Sequence, residues 1–203
     1  MVEKENKMSG ADKIRLIGFE LFGEEFSIDD PVRYGIYKKV YGKLIGSLKK
    51  KKTKGVLVSG SIGVGKSNMM KVMQRLLKDT DRRFKLVSGY QLKDMSETMT
   101  IAEIKALYGA NLKCDLYIDD IGFSIDVKRY GNTVNIIGEI IMERYDLYVS
   151  SGFKTHLSSN IAADIKNNDK NLPTIKTLYG SRVLDRIKEM CDLIIWKGES
   201  LRK

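Results

Sequence analysis

Cysteine, proline and histidine are scarce in this chain. Two cysteines, Cys114 and Cys191, exclude a disulfide framework and leave too few thiols for a thiolate metal site. A single histidine, His156, argues against His-rich metal chemistry and against a Ser-His-Asp triad. Two prolines exclude a proline-rich linker and any collagen-like repeat. No apolar run approaches the length of a signal peptide or a membrane span. The expected location is therefore the cytoplasm, with no membrane contact. No internal repeat is visible.

What is present bounds the answer further. A length of 203 residues fits one compact domain, and 42% hydrophobic composition can fill its core. The charge is lopsided. Lysine and arginine number 36 against 26 acids, a net charge of +10, which favours a polyanionic partner: nucleic acid, nucleotide or anionic membrane. The densest basic patch is Lys49–Lys52 plus Lys54. It reads equally as a DNA contact or as the solvated end of a helix.

Periodicity gives the fold class. Residues 1–12 read as a disordered lead-in, and Ile14–Phe22 as a short helix or a clip onto the core. A helix is expected from Pro31, with Ser27, Asp29 and Asp30 as candidate caps. Five short apolar runs follow: Gly55–Ser59, Phe84–Ser88, Leu116–Ile118, Thr155–Ser158 and Leu193–Trp196. Between them lie helix-like segments at Lys66–Lys78, Thr100–Tyr108, Thr133–Tyr148 and Thr174–Met190. Short buried strands alternating with amphipathic helices predict an α/β domain, with a mainly parallel five-stranded sheet flanked by helices.

The first chemical motif is Gly60-Ser61-Ile62-Gly63-Val64-Gly65-Lys66-Ser67, a full match to G-x-x-x-x-G-K-[ST]. A strand leads in and a helix leads out. The glycines let backbone N–H groups wrap phosphates, and the outgoing helix aims its positive end at them. Lys66 is expected on the β- and γ-phosphates, and Ser67 on Mg²⁺. The second motif is the apolar strand Leu116-Tyr117-Ile118 ending in Asp119 and Asp120. Strand alternation puts the two carboxylates on opposite sides. Asp119 is assigned to the metal shell and Asp120 to the attacking water as general base. No guanine-reading N-K-x-D motif occurs.

Two later features are open from pattern alone. Asn160 ends the strand Thr155–Ser158 and is either a water- and γ-phosphate-binding residue or a plain turn residue. His156 reads as packed or surface-exposed rather than catalytic. Arg182 and Arg186, four apart, share a helix face. They form an anion-binding pair, or a solvated face partnered by Asp185 and Glu189, and pattern alone favours the second.

Taken together, GSIGVGKS, LYIDDIG, THLSSN and YGSRVLDRIKEM resemble the AAA+ ATPase domain of DnaC-type helicase loaders and the related IstB-type transposition ATPases. The segment Tyr130-Gly131-Asn132 and the helix after it, to Arg144-Tyr145, resemble DnaC-like proteins of mobile elements. The resemblance spans residues 27–203, leaving 1–26 as an N-terminal extension, partly disordered or client-binding. It implies an AAA+ P-loop core without a separate helical lid. It implies ATP and Mg²⁺ as ligands, with Lys66 and Ser67 as Walker A, Asp119 and Asp120 as Walker B, and Asn160 as sensor 1. It further implies Arg186, with Arg182 second, as an arginine finger acting on a neighbouring subunit of a homo-oligomer. Arg202 resembles an arginine near the end of family members.

The function implied is an ATP-hydrolysing replication accessory protein. It is a DnaC-like helicase loader that binds single-stranded DNA and a replicative helicase, or an IstB-like helper with a transposase client. A nucleotide-gated module with little turnover and a small P-loop kinase are the alternatives. Two departures from the family stand out. Asp120 replaces the longer Glu of many AAA+ proteins, so slow hydrolysis is expected. Only residues 1–26 precede the core, so the helicase-binding region is shortened to them or the client differs.

Overall fold

The computed structural model describes residues 8–45, 53–123, 125–129, 132–162, 173–198 and 200. Within them the elements in chain order are α1 (Gly10–Phe22), a short 3-10 turn, α2 (Pro31–Ile45), β1 (Gly55–Gly60), α3 (Lys66–Leu77) and β2 (Phe84–Ser88). They continue with α4 (Gly89–Thr98), α5 (Ile101–Tyr108), β3 (Asp115–Asp119), β4 (Asp126–Arg129) and β5 (Asn132–Asn135). The last are α6 (Ile136–Ser151), β6 (Thr155–Ser159), α7 (Ile175–Met190) and β7 (Cys191–Trp196). All five expected strands enter one sheet of order β2-β3-β6-β1-β7, and every pairing in it is parallel.

Strand alternation divides the core into two layers. Leu57, Leu116, Ile118 and Leu157 face one side, under Leu92, Ile104, Ile140 and Leu184 from α4–α7. Val56, Val58, Tyr117 and Trp196 face the other, under Ile14, Val40, Met70 and Met73 from α1–α3. Fully burying each such side chain stabilises the fold by roughly 1.5–3 kcal/mol.

Several segments depart from the sequence reading. Helix α1 begins at Gly10, inside the expected lead-in, because Ser9 caps it by accepting from Asp12 N and Ile14 is buried. Helix α4 was not anticipated, although Ser88 and Gln91 form a complete capping box at its start. The expected helix from Thr133 starts instead at Ile136. Asn135 caps it through Gly138 N, and the residues before it pair as the antiparallel ribbon β4–β5. Asn135 also donates to Asp126 across that ribbon, at 3.2 Å. The cap at Pro31 is as expected: Asp30 accepts from Val32 N and Arg33 N.

The N-terminal ends of β1, β3 and β6 enclose a buried polar cluster. Arg144 of α6 is fully buried and donates to the carbonyls of Leu112, Cys114 and Lys154 and to Thr155 Oγ1. Asp115 accepts from Lys154 N at 2.7 Å, and burial raises its carboxyl above the usual range. His156 is buried and accepts Val56 N–H at Nδ1, 3.3 Å away, which leaves its proton on Nε2 towards Asp115. Burial first, then Lys154 and Arg144, push its pKa down to about 3.

Below the ordinary histidine value of 6.5 the unfolded chain binds a proton that the folded chain refuses. Stability contributed by neutral His156 is complete above that value and is lost as pH falls towards about 3. Between about pH 8 and pH 5 the loss is about 2 kcal/mol from this group, read as a lower denaturant midpoint. His156→Gln, which retains an acceptor for Val56 N–H, is expected to flatten that profile.

Candidate nucleotide site

The C-terminal ends of β1, β3 and β6 lie side by side, since β6 sits between the other two. This brings three motifs together that are far apart in sequence. The loop Gly60–Ser67 runs from β1 into α3. Gly63 at φ 85° and Gly65 at φ 101° hold it in the left-handed region, where a side chain is strained. A Cβ on Gly63 would also stand 2.2 Å from Ser200 Oγ, so the chain after β7 passes against the loop. Lys66 Nζ donates to the carbonyls of Gly60 and Ser61, at 2.7 and 2.9 Å. The lysine thus lies folded back along its own loop.

Strand β3 delivers the acids. Asp119 Oδ1 accepts from Tyr117 Oη at 2.6 Å and from Ser158 Oγ at 2.5 Å. Burial, and next the Asp119 charge, raise the Tyr117 hydroxyl well above its ordinary value, so it stays a donor. Asp120 does not continue the strand alternation assumed from sequence. Its φ is 56°, a left-handed residue that turns the chain out of β3. Its N–H donates to Ser158 Oγ at 2.8 Å. The Ser158 hydroxyl therefore joins the two acids, accepting from one and donating to the other. Sequence reasoning passed over Ser158, although it lies within the THLSSN segment.

Asn160 follows β6 directly. A Cβ on Gly122 would stand 2.0 Å from Asn160 Oδ1 and 3.1 Å from Asp120 Oδ1. Only glycine at 122 admits both polar groups to this corner. Tyr179 of α7 holds the same loop from behind, its hydroxyl shared between the carbonyls of Ile121 and Phe123 at 2.8 and 2.6 Å. Immediately after it, Gly180 at φ 84° kinks α7.

A cavity of about 970 Å³ joins these parts. Its lining includes Ile62–Ser67, Asp119, Asp120, Ser158 and Asn160. A second part of the wall comes from the region upstream of β1, with Phe22, Glu25, Phe26, Ser27, Arg33 and Tyr37, and Trp196 of β7 also lines the cavity. That wall was not expected from sequence, where Phe22 and Phe26 belonged to the extension. The volume is of a size that a nucleotide would fill. Ser67 and Asp119 offer a hydroxyl and a carboxylate to the same cavity, which fits Mg²⁺: a small ion taking few protein oxygens beside phosphates and water.

The arginines lie elsewhere. Arg182 is exposed, and Arg186 donates to Tyr145 Oη at 3.0 Å and Glu189 at 3.2 Å. Its guanidinium also stacks 4.1 Å from the Tyr145 ring centroid. Neither arginine is among the residues lining the cavity of their own chain. Glu189 was anticipated as a partner in the solvated-face reading; Tyr145 was not. Lys54 donates to the Lys188 carbonyl at 3.0 Å. Lys49–Lys52, Tyr130, Gly131 and Arg202 lie outside the described residues.

The sequence matches no protein-family model and no curated protein. Solved structures do match. DnaI superposes with a TM-score of 0.61 at 18% identity, over 87% of this chain and 88% of that one. The DnaC helicase loader gives 0.57 at 17% identity, over 86% of this chain and 95% of that one. AMPPCP-bound DnaA from Aquifex aeolicus gives 0.50 at 19% identity, over 84% of this chain but 48% of that one. No helix among the described residues is long and apolar enough to cross a membrane. Sheet order, phosphate loop and neighbours agree: this chain has the P-loop AAA+ fold of DnaI and the DnaC helicase loader.

Proposed function

We propose that this chain is an ATP-binding and ATP-hydrolysing replication accessory protein, a DnaC-like helicase loader acting on single-stranded DNA. The observation that carries the reading is the meeting of Lys66, Asp119, Asp120 and Asn160 around one cavity of nucleotide size. Likeness to a DnaC helicase loader and to an AMPPCP-bound DnaA supports the choice of client class and of nucleotide.

In this reading the triphosphate takes the place of the Gly60 and Ser61 carbonyls as partner of Lys66. Ser67 and Asp119 would hold Mg²⁺, which when bound would supply charge screening for the phosphates. Asp120 accepts a proton from water while Asn160 orients it. The water oxygen bonds to the γ-phosphorus, the bond to the bridging oxygen breaks, and ADP departs with the electron pair. Arg186 serves the neighbouring subunit's γ-phosphate, exchanging Tyr145 and Glu189 for it. Arg182 is the second candidate for that role.

DNA enters through an aromatic pair. Tyr90 is 60% exposed and packs on Phe123 with ring centroids 4.7 Å apart. Phe123 lies three residues beyond Asp120, so a base stacked on this pair would touch the loop that carries the catalytic carboxylate. A small P-loop kinase is the weaker reading on this fold. An IstB-like helper with a transposase client shares every step above and differs only in the partner.

The shared site is testable by mixing. Lys66→Ala subunits lack a working loop but keep the finger; Arg186→Ala subunits have the reverse defect. Each preparation is expected to be nearly inactive alone, and mixtures are expected to regain part of the ATPase rate. Rates in every mixture that merely average the two inactive proteins would reject a site completed in trans.

A further inference from the structure

Helix α3 carries a second hollow behind the nucleotide site. A groove of about 640 Å³ lies between α3 and strand β2, which among the described residues pairs only with β3. Lys71 and Arg75 line it from α3, and Lys78 from the cap that ends α3. Their spacing of i, i+4 and i+7 places them on one helix face, and all three are exposed. Arg83 and Lys85 line it from the strand side. Lys71, Arg75, Lys78 and Arg83 thus bring four charged side chains to the groove, the Lys85 ammonium being turned to the Leu107 carbonyl on the other face of the sheet, and among the described residues no carboxylate lines it. Asp79 approaches Lys78 at 3.6 Å, and Asp81 is turned to Arg82 outside the groove. Lys85 leans on the Tyr108 ring, 4.4 Å from its centroid. The floor is apolar, made by Leu21 of α1 with Phe84 and Leu86.

Two simpler explanations account for less. Basic residues often guard an edge strand against pairing with another chain, which would explain Arg83 and Lys85. It leaves the three cations of α3, turned to the same apolar-floored hollow, without a role. A nucleic-acid strand would match the charge but needs exposed rings on which bases stack. The one aromatic ring lining the groove, Phe84, is 5% exposed and is held edge-on by Tyr117 and His156. Leu21, by contrast, is 43% exposed.

We propose that the α3–β2 groove docks an acidic segment of a partner protein. Its carboxylates meet Lys71, Arg75, Lys78 and Arg83, and its aliphatic side chains settle on Leu21 and Leu86. Charge pairs of this kind chiefly set specificity and the rate of encounter, and the apolar floor fixes the register. The groove shares two elements with the nucleotide site. Lys66 and Ser67 begin the helix that lines it, and Leu21 directly precedes Phe22 in the nucleotide cavity wall. The proposal stands without the ATPase reading, since it uses none of the catalytic groups.

The test is an anisotropy titration of the full chain with three labelled probes. They are a short peptide of alternating glutamate and leucine, the same peptide with glutamine for every glutamate, and an oligothymidylate. The acidic peptide is expected to bind and to weaken as salt rises, and the glutamine peptide to bind at least about tenfold more weakly. The double variant Arg75→Glu, Lys78→Glu is expected to lose at least about tenfold in affinity for the acidic peptide, with oligothymidylate affinity unchanged. Lys71→Gln with Lys78→Gln, a milder pair, gives a smaller loss in the same direction and replaces the reversal should that variant not fold. Equal binding of both peptides, or an unchanged affinity in the variants, overturns the proposal. A loss of oligothymidylate binding as large as that of the peptide overturns it too, and assigns the groove to nucleic acid.

Discussion

Replacing Asp120 with asparagine is expected to lower ATP turnover by about 10²- to 10⁴-fold while ATP binding and the fold survive. The reason lies in the backbone. Asp120 sits at φ 56°, a region costly for most side chains but tolerated by aspartate and asparagine alike. The substitution therefore keeps the turn out of β3, the Asp120 N–H bond to Ser158 and the space left by Gly122. It removes only the ability to take a proton. Steady-state ATPase assays alongside equilibrium binding of a labelled ATP analogue separate the two effects. Loss of both would mean that Asp120 shapes the pocket rather than the reaction. Unchanged turnover would favour the nucleotide-gated module, in which ATP controls assembly without being consumed quickly. Asp119→Asn differs in kind, because Asp119 already accepts from Tyr117 and Ser158 and an amide nitrogen turned to either would face a donor.

The strands and the phosphate loop were readable because each is local. GVLVS, FKLVS and THLS announce themselves by apolar runs, and the loop by glycine spacing that few other structures require. What stayed hidden was contributed by distant chain. Nothing in the sequence of Phe22, Phe26 or Tyr37 says that they line one cavity with residues 62–67. The same holds for Ser158, whose value comes from lying opposite the end of β3. The β4–β5 ribbon was masked by the strong apolar stripe of α6, which encouraged a helix to be extended backwards through Thr133. Asn135, a residue that caps helices well and sits poorly inside them, was the signal against it. The hollow at α3 was legible in part, since Lys71, Arg75 and Lys78 fall on one face. The strand and floor that complete it were not.

The largest effect on stability is expected from Arg144, a residue with no part in the nucleotide site. In the sequence it continues the stripe Ile137, Ile140, Ile141 towards Tyr148, so a charge falls where the helix is buried. The structure shows why that charge is tolerated. One guanidinium donates to three carbonyls, those of Leu112, Cys114 and Lys154, and to the Thr155 hydroxyl, at distances of 2.8–3.1 Å. It fastens the segment before β3 to the start of β6, which sets the register of the strands that lead to Asp119 and to Asn160. Arg144→Met fills similar volume but takes the guanidinium donor from the Leu112 and Cys114 carbonyls, while the Lys154 carbonyl keeps the Leu116 N–H, and it removes a positive charge near Asp115. Stranding two buried carbonyls costs about 1–3 kcal/mol each, so a loss of about 3–5 kcal/mol is expected. For a chain of this size that is a fall in melting temperature of roughly 6–20 °C. Arg144→Lys keeps the charge, but a single ammonium has three protons and no planar fork, so it is expected to recover only part of the loss. Thermal unfolding followed by circular dichroism ranks the three proteins. If Arg144→Met melts within about 2 °C of the parent, the cluster contributes little to stability, and the joining of β3 to β6 must rest on the sheet hydrogen bonds alone.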